Sequence, residues 1–217
     1  MAEKTIDIAS PILSRNERLA DQLRQRFEQT NTYVINVLSS PGSGKTTTIL
    51  GTNERLRDKA SLRCAVIEGD IASDVDAITM KEAGMPAIQI NTGGLCHLEG
   101  NMIMEAVDAF DQAVGLENID VIFIENVGNL VCPVDFDLGE NLSIMILSVP
   151  EGDDKPLKYP LMFQICDVVL INKTDVLPYF DFDMEKCREN IRMRNPNARV
   201  IPICAKTGEG VDEWADW

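Results

Sequence analysis

Apolar and polar positions along the chain fall into two alternating periods. Short apolar runs at Tyr33–Leu38, Arg63–Ile67, Ala87–Ile90, Val121–Glu125, Leu142–Val149, Val168–Ile171 and Arg199–Pro202 have the length of strands. Several of them (YVINVL, VIFIE, VVLIN) are almost unbroken, as in parallel strands covered on both faces. Between the runs, helical spacing predicts helices at Thr46–Arg57, Asp74–Ala83, Glu99–Val114, Leu161–Ile165 and Asp183–Arg194. One more helix precedes the first strand. Ser14 and Glu17 have capping-box spacing there, and Leu19, Leu23 and Phe27 form an apolar stripe. Strands alternating with helices predict an α/β fold: a mostly parallel sheet of about seven strands, flanked by helices, with an N-terminal helix. In such sheets ligands bind in the loops at the carboxyl ends of the strands.

The loops carry the unusual residues. SSPGSGKTTT, Ser39 to Thr48, joins the first strand to a helix. Gly42 and Gly44 let the backbone curl so that its N–H groups, with those of Ser43 and Thr47, face phosphate oxygens. Lys45 supplies a charge for the β- and γ-phosphates, Thr46 a hydroxyl for magnesium, and the helix its positive end. Ser39 stands where the usual GxxxxGK[ST] pattern has its first glycine. After the sixth strand comes NKTD, Asn172 to Asp175. The Asp175 carboxylate can accept from N1–H and the exocyclic amine of guanine, two bonds that adenine cannot return. Asn172 would tie this loop to the phosphate loop, and the Lys173 stem would cover the base. CAKTGEG follows the last strand, placing Cys204, Ala205 and Lys206 where a backbone contact to guanine O6 is expected. These motifs make residues 33–217 a GTP-binding domain, with 1–32 a helical segment packed on it.

Composition narrows the picture. With 35 acidic and 20 basic residues the net charge is −15, which disfavours nucleic-acid and membrane partners and asks for a local cationic pocket for a nucleotide. The absence of a long apolar run or of a secretory signal in the opening residues makes a soluble, cytoplasmic protein the expectation. Carboxylates also stand at strand ends. IEGDIASDVDA offers Asp70, Asp74 and Asp76, and IFIENVGN offers Glu125 and Gly128 with the spacing of a DxxG switch. Asp74 suits a helix cap; Asp76 and Glu125 are placed at magnesium, and Asp70 as the group orienting the attacking water. The six cysteines form no CxxC pair. Burial as small hydrophobes accounts for Cys64 and Cys166. It accounts poorly for Cys96, beside the only histidine, His97, and for Cys132, both in Gly-rich loops. Thiolates with an imidazole would select a soft metal such as zinc, copper(I) or nickel.

Taken in order, SPGSGKTT, IEGDI, QINTGGLCHLEG, IENVGNLVCP, the stretch from Gly139 through EGDDKPLKYP, INKTD and AKTGEG resemble the HypB family, GTPases required for nickel insertion into nickel–iron hydrogenases. The resemblance runs from about Ile12 to Trp214, and CHLEG with ENVGNLVCP is its most specific part. It implies a cytosolic GTPase that dimerises with GTP, with a nickel or zinc site of Cys96, His97 and Cys132 where two domains meet. It implies magnesium at Asp76 and Glu125, and Lys158 reaching the partner's nucleotide. The implied partners are the HypA-type nickel chaperone and the hydrogenase large-subunit precursor. Some relatives carry an N-terminal cysteine motif or histidine-rich tract; the first 63 residues here hold neither Cys nor His, so metal is expected in the G domain. No arginine stands in the switch loops, so intrinsic hydrolysis should be slow. Two other readings remain: a sister GTPase of urease maturation, which typically carries a Cys-Pro-His motif instead, and a GTP-gated interaction switch with structural cysteines. NKTD speaks against a third, a small-molecule kinase.

Overall fold

The computed structural model describes residues 9–70 and 75–217, with side chains at 11–69 and 79–217. Seven strands, β1 (Tyr33–Ser39), β2 (Cys64–Asp70), β3 (Ala87–Asn91), β4 (Val121–Glu125), β5 (Leu142–Ser148), β6 (Val168–Asn172) and β7 (Arg199–Pro202), form one sheet in the order β3-β2-β4-β1-β5-β6-β7. Every pairing is parallel. The expected sheet is therefore present in full. β2 runs further than the apolar pattern suggests, because Glu68, Gly69 and Asp70 pair in register with Gln89, Ile90 and Asn91 of β3. Backbone pairing there outweighs polar side chains.

Among the described residues eight α-helices surround the sheet: α1 (Ala9–Thr30), α2 (Lys45–Ala60), α3 (Val75–Glu82), α4 (Gly100–Val114), α5 (Lys155–Lys158), α6 (Pro160–Ile165), α7 (Met184–Arg194) and α8 (Val211–Asp216). Alternation along β1 decides which face each side chain serves. Ile35 and Val37 join the cluster under α2, α3 and α8, which includes Ile49, Met80 and Trp214. Val34 joins Leu23, Phe27, Val107 and Phe110 under α1 and α4, whereas Leu38 joins Met162, Phe163 and Ile191 under α6 and α7. The second face thus carries two helix pairs side by side. Each buried Phe or Leu adds about 1.5–3 kcal/mol to holding these layers together.

The expected start of the first helix needs correction. α1 is already formed at Ala9, and Ser14 lies inside it, its hydroxyl donating 3.2 Å to the Pro11 carbonyl instead of capping. A proline is tolerated in a first turn, so the helix extends past the apparent cap. Asp183 does cap α7, accepting from the amides of Glu185 and Lys186 at 3.0 Å each. α5 and α8, four and six residues long, are too short for a period to reveal. Asp74, the other expected cap, lies outside the described residues. No helix among the described residues is long and apolar enough to cross a membrane.

Candidate nucleotide and metal site

β1 is the strand at which chain order reverses across the sheet, and the phosphate loop leaves its carboxyl end. Gly42 and Gly44 have φ of 71° and 98°, left-handed values that suit glycine. A Cβ at Gly44 would stand 2.5 Å from Asn172 Nδ2, so the close approach as well as the dihedral requires glycine there. Lys45 opens α2 and folds back over the loop, donating to Ser39 Oγ at 3.2 Å. The serine in place of the first glycine therefore braces the phosphate lysine. Ser43 is buried, and its Oγ has no hydrogen-bond partner among the described residues. Glycine turns, an aimed lysine and an orphaned hydroxyl together fit a bound phosphate chain.

The loop after β6 locks onto this cradle. Asn172 is buried; its Nδ2 donates to the Ser43 carbonyl at 2.8 Å, and its Oδ1 accepts from the Lys173 amide at 2.8 Å and the Ala205 amide at 3.0 Å. One side chain thus joins the phosphate loop to the NKTD loop, as the motif suggested, and adds the CAKTGEG loop to them. Lys173 takes φ of 63°, and its Nζ meets the Gly42 carbonyl at 2.6 Å. Asp175 is exposed. Cys204 is buried, with its amide donating to the Glu209 carbonyl at 2.8 Å, so it shapes the loop from beneath; Lys206 is exposed. Lys158 is exposed on α5 and paired with Asp154 at 2.6 Å.

Glu125 ends β4 and is buried; Thr46 Oγ1 donates to its Oε1 at 3.1 Å. A hydroxyl against a carboxylate beside the phosphate loop is an oxygen donor set suited to magnesium. Gly128 follows at close quarters: a Cβ there would lie 2.9 Å from the Pro41 nitrogen. The segment from Glu125 to Gly128 is thereby pressed on the phosphate loop. Asp70 closes β2 and Asp76 lies in α3, but the side chains of both fall outside the described residues.

The third group of residues converges at the same end of the sheet. The loop after β3 turns at Gly93 and Gly94 (φ 62° and 96°), closed by Thr92 Oγ1 donating to the Leu95 carbonyl at 2.8 Å. Leu98, fully buried, anchors it: a Cβ at Gly69 of β2 would lie 2.8 Å from the Leu98 side chain, so that glycine makes the room. Opposite, Asn129 Oδ1 accepts from the amides of Val131 and Cys132 at 2.7 and 3.3 Å, setting the turn that carries Cys132. The result brings Cys96 Sγ to 2.6 Å from Cys132 Sγ and 3.9 Å from His97 Nδ1. Donor atoms of all three lie within 4.8 Å of one another, half-buried. Tetrahedral zinc needs sulfur at about 2.3 Å and nitrogen at about 2.0 Å, which such a cluster can supply with small adjustments.

Neighbours tune the ligands. His97 Nε2 lies 3.3 Å from Glu99 Oε1, so a proton held there leaves the Nδ1 lone pair facing the sulfurs. Phe136 stacks on the imidazole at 3.9 Å between centroids. The Cys96 thiol is raised above its ordinary pKa chiefly by its bond to Cys132, with burial adding to it. Burial pushes Cys64 and Cys187 up to about 12 and raises Cys166 as well, which leaves those three as protonated core thiols. Sequence reading missed Glu99, Asn129, Phe136 and Asn16. The last is a buried α1 residue whose Oδ1 accepts from the Gly100 amide at 2.7 Å while its Nδ2 donates to the Asp137 carbonyl at 2.7 Å. Glu99, two residues after the histidine, was the one with a local signal.

Comparison with known proteins agrees with this geometry. Residues 33–202 match the family described as CobW/HypB/UreG, nucleotide-binding domain. The hydrogenase maturation factor HypB of Azotobacter chroococcum is 50% identical over 214 residues, 99% of this chain and 68% of that protein. HypB of Escherichia coli K12 is 48% identical over 214 residues, 99% of this chain and 72% of that one. Among solved structures, HypB from Helicobacter pylori in complex with nickel matches with a TM-score of 0.88 at 39% identity, covering 93% of this chain and 92% of that chain.

Proposed function

The chain belongs to the HypB hydrogenase maturation factors within the CobW/HypB/UreG nucleotide-binding family, and we propose that it is a GTP-hydrolysing nickel metallochaperone whose nucleotide gates the Cys96–His97–Cys132 site. The observation that carries this reading is the convergence of those three donor groups beside the phosphate loop's own switch segment. Three protein ligands leave a position open, which suits an ion held for transfer. Nickel is the cargo and zinc its competitor.

Gly42, Ser43, Gly44, Lys45, Thr46 and Thr47 take the phosphates in this reading, while Asn172, Lys173 and Asp175 take guanine with the Cys204–Ala205–Lys206 loop. Thr46, Glu125 and Asp76 hold magnesium, which when bound offsets phosphate charge. Asp70 orients the water that attacks the γ-phosphate, giving GDP and phosphate, and Lys45 steadies the charge. With no arginine in the switch loops, turnover is slow. GTP promotes a homodimer in which the exposed Lys158 reaches the partner's nucleotide. The cytoplasmic partners are a HypA-type nickel chaperone and the hydrogenase large-subunit precursor. Residues 1–32 act as a helical segment on the G domain at 33–217.

Nickel and zinc titrations of the GDP-bound and GTP-analogue-bound protein, repeated on Cys132→Ala, test the reading. The variant should lose tight metal binding and keep GTP binding. Wild-type metal affinity in Cys132→Ala, or identical affinity in both nucleotide states, would remove the metallochaperone switch and leave a nucleotide-binding protein.

A further inference from the structure

The face of the sheet that carries α1, α4, α6 and α7 has a polar seam between its two helix pairs. β1 presents Val34, Asn36 and Leu38 to that face in turn, and Asn36 is only 1% exposed between two apolar clusters. Its Nδ2 donates to Glu140 Oε1 at 2.9 Å, and its Oδ1 accepts from Asn126 Nδ2 at 3.3 Å. Glu140 sits in the crevice between α1 and α6, a cavity of about 390 Å³ also lined by Arg24, Phe136 and Ile165. Its Oε1 takes a second bond from Ser143 Oγ at 2.9 Å, and its Oε2 accepts from the Leu138 amide at 2.8 Å. A carboxylate withdrawn from water needs such donors, and burial still holds its pKa above the usual range.

The two ends of this chain of side chains arrive at places already described. Asn126 directly follows Glu125, which takes the Thr46 hydroxyl, and it precedes Gly128, which abuts Pro41. Its amide is fixed to the Val37 carbonyl at 3.1 Å. At the other end, Leu138 stands two residues from Phe136, whose ring backs His97. Beside the backbone bond from the Asn126 amide to Val37, the side-chain bond from Asn126 to Asn36 crosses from the switch segment to β1, and at 3.3 Å it is the longest of the series. A small shift of Asn126 would break it and leave the Asn36 carbonyl oxygen without a donor in a dry seam. A buried acceptor left without a donor is costly, so a shift of Asn126 would be felt at Asn36 and through it at Glu140.

We propose that the Asn126–Asn36–Glu140 chain is a second route from nucleotide to metal site, in which Glu140 is a positioning residue that sets the His97 ring through the Leu138 amide and Phe136. This rests on the reading that nucleotide gates the metal site. It differs from the direct backbone path, which leads from Glu125 to Cys132 and meets His97 from the side of the sulfurs. It gives Asn36, a polar residue in the middle of a core strand, a role that packing does not supply.

His97 is the only histidine, so its imidazole signals in a heteronuclear NMR spectrum report one site without assignment ambiguity. Spectra of metal-free wild type with magnesium–GDP and with a magnesium-bound non-hydrolysable GTP analogue should differ at His97. Glu140→Gln keeps a single acceptor oxygen, so its NH2 must face either the Leu138 amide or Asn36 Nδ2, and Asn36→Ser is too short to span both partners. Each should shrink the His97 difference between the two nucleotide states well below that of wild type while both nucleotides still bind as tightly as in wild type. A folded variant that keeps the wild-type difference overturns the route, and Asn36→Ser decides the matter should Glu140→Gln fail to fold. Nickel titrations of wild type in the two nucleotide states separate the failures. Unchanged His97 signals with a changed nickel affinity remove this route and leave gating through Cys132 standing. Unchanged nickel affinity removes the gating reading itself, and the route with it.

Discussion

Two of the six cysteines differ from the others in what surrounds the sulfur. Cys96 and Cys132 are half-buried in loops, against each other and an imidazole, whereas Cys64, Cys166 and Cys187 are buried among apolar side chains and Cys204 is buried beneath its loop. Burial raises the first three of those core thiols far above neutral pH, so they carry almost no thiolate there. Timed alkylation of the metal-free native protein should therefore modify Cys96 and Cys132 first, the other four reacting only on unfolding. Peptide mass spectrometry reads this, and early labelling of Cys166 would contradict the packing. The carboxylate proposed to meet guanine permits a second residue-scale test. Asp175 is exposed at the head of its turn, held in place by a loop that Asn172 fixes to the phosphate cradle. Asp175→Asn turns an acceptor toward a donor, removing a charged hydrogen bond worth about 1.5–3 kcal/mol, or roughly 10- to 150-fold in GTP affinity. Xanthine nucleotides should gain correspondingly. Equal loss for GTP and xanthosine triphosphate would place the guanine contact elsewhere.

Loops, rather than helices or strands, decide where the chemistry sits, and their close approaches are the sensitive points. Gly44→Ala would force a left-handed alanine and drive its Cβ to 2.5 Å from Asn172 Nδ2. The dihedral alone costs about 1–3 kcal/mol, and the displaced Asn172 would release the NKTD loop. A lower melting temperature with lost GTP binding is the expected outcome, and normal binding would show that the contact can relax. Asn16→Ala probes the opposite side, because this α1 residue ties the start of α4 to the loop carrying Phe136. It leaves the buried Gly100 amide without a partner, at about 1–3 kcal/mol, and takes the donor from the half-buried Asp137 carbonyl, a loss measurable by urea titration. The two glycine-rich motifs and the NKTD loop were legible in the sequence because each is contiguous and its chemistry follows from local spacing. The strands were legible for the same reason: a parallel core demands unbroken apolar runs. Asn16 was not, since its partner lies 121 residues away and nothing local marks the pairing. The seam at Asn36 hid in a run that reads as simple core, where a single asparagine carries no periodic signal. The stacking of Phe136 on His97 depends wholly on how two loops meet.

At the scale of the whole molecule, strand order does the work of bringing two chemistries together. The order β3-β2-β4-β1 sets the cysteine–histidine loop, the Cys132 loop and the phosphate loop along one edge of the sheet, although the chain visits them in a different sequence. The Cys132 loop is also the nucleotide loop, since Glu125 and Gly128 touch the phosphate cradle and Cys132 follows seven residues after Glu125. A γ-phosphate that repositions this segment must move the Cys132 sulfur. Metal affinity and nucleotide state are then linked, and linkage is reciprocal: if a GTP analogue changes nickel affinity by a given factor, nickel changes the analogue's affinity by that factor. Coupling between sites is typically about 1–3 kcal/mol, or roughly 5- to 150-fold. Where the GTP state is also a dimer, nickel must shift the monomer–dimer equilibrium of the analogue-bound protein in the same thermodynamic cycle. Calorimetric titration of nickel with GDP and with the analogue, the reverse titrations with and without nickel, and sedimentation across the same conditions close that cycle. The expected result is one coupling free energy recovered from both directions, larger in wild type than in Cys132→Ala. Coupling that survives intact in the cysteine variant would mean the two chemistries share an edge of the sheet without sharing a switch.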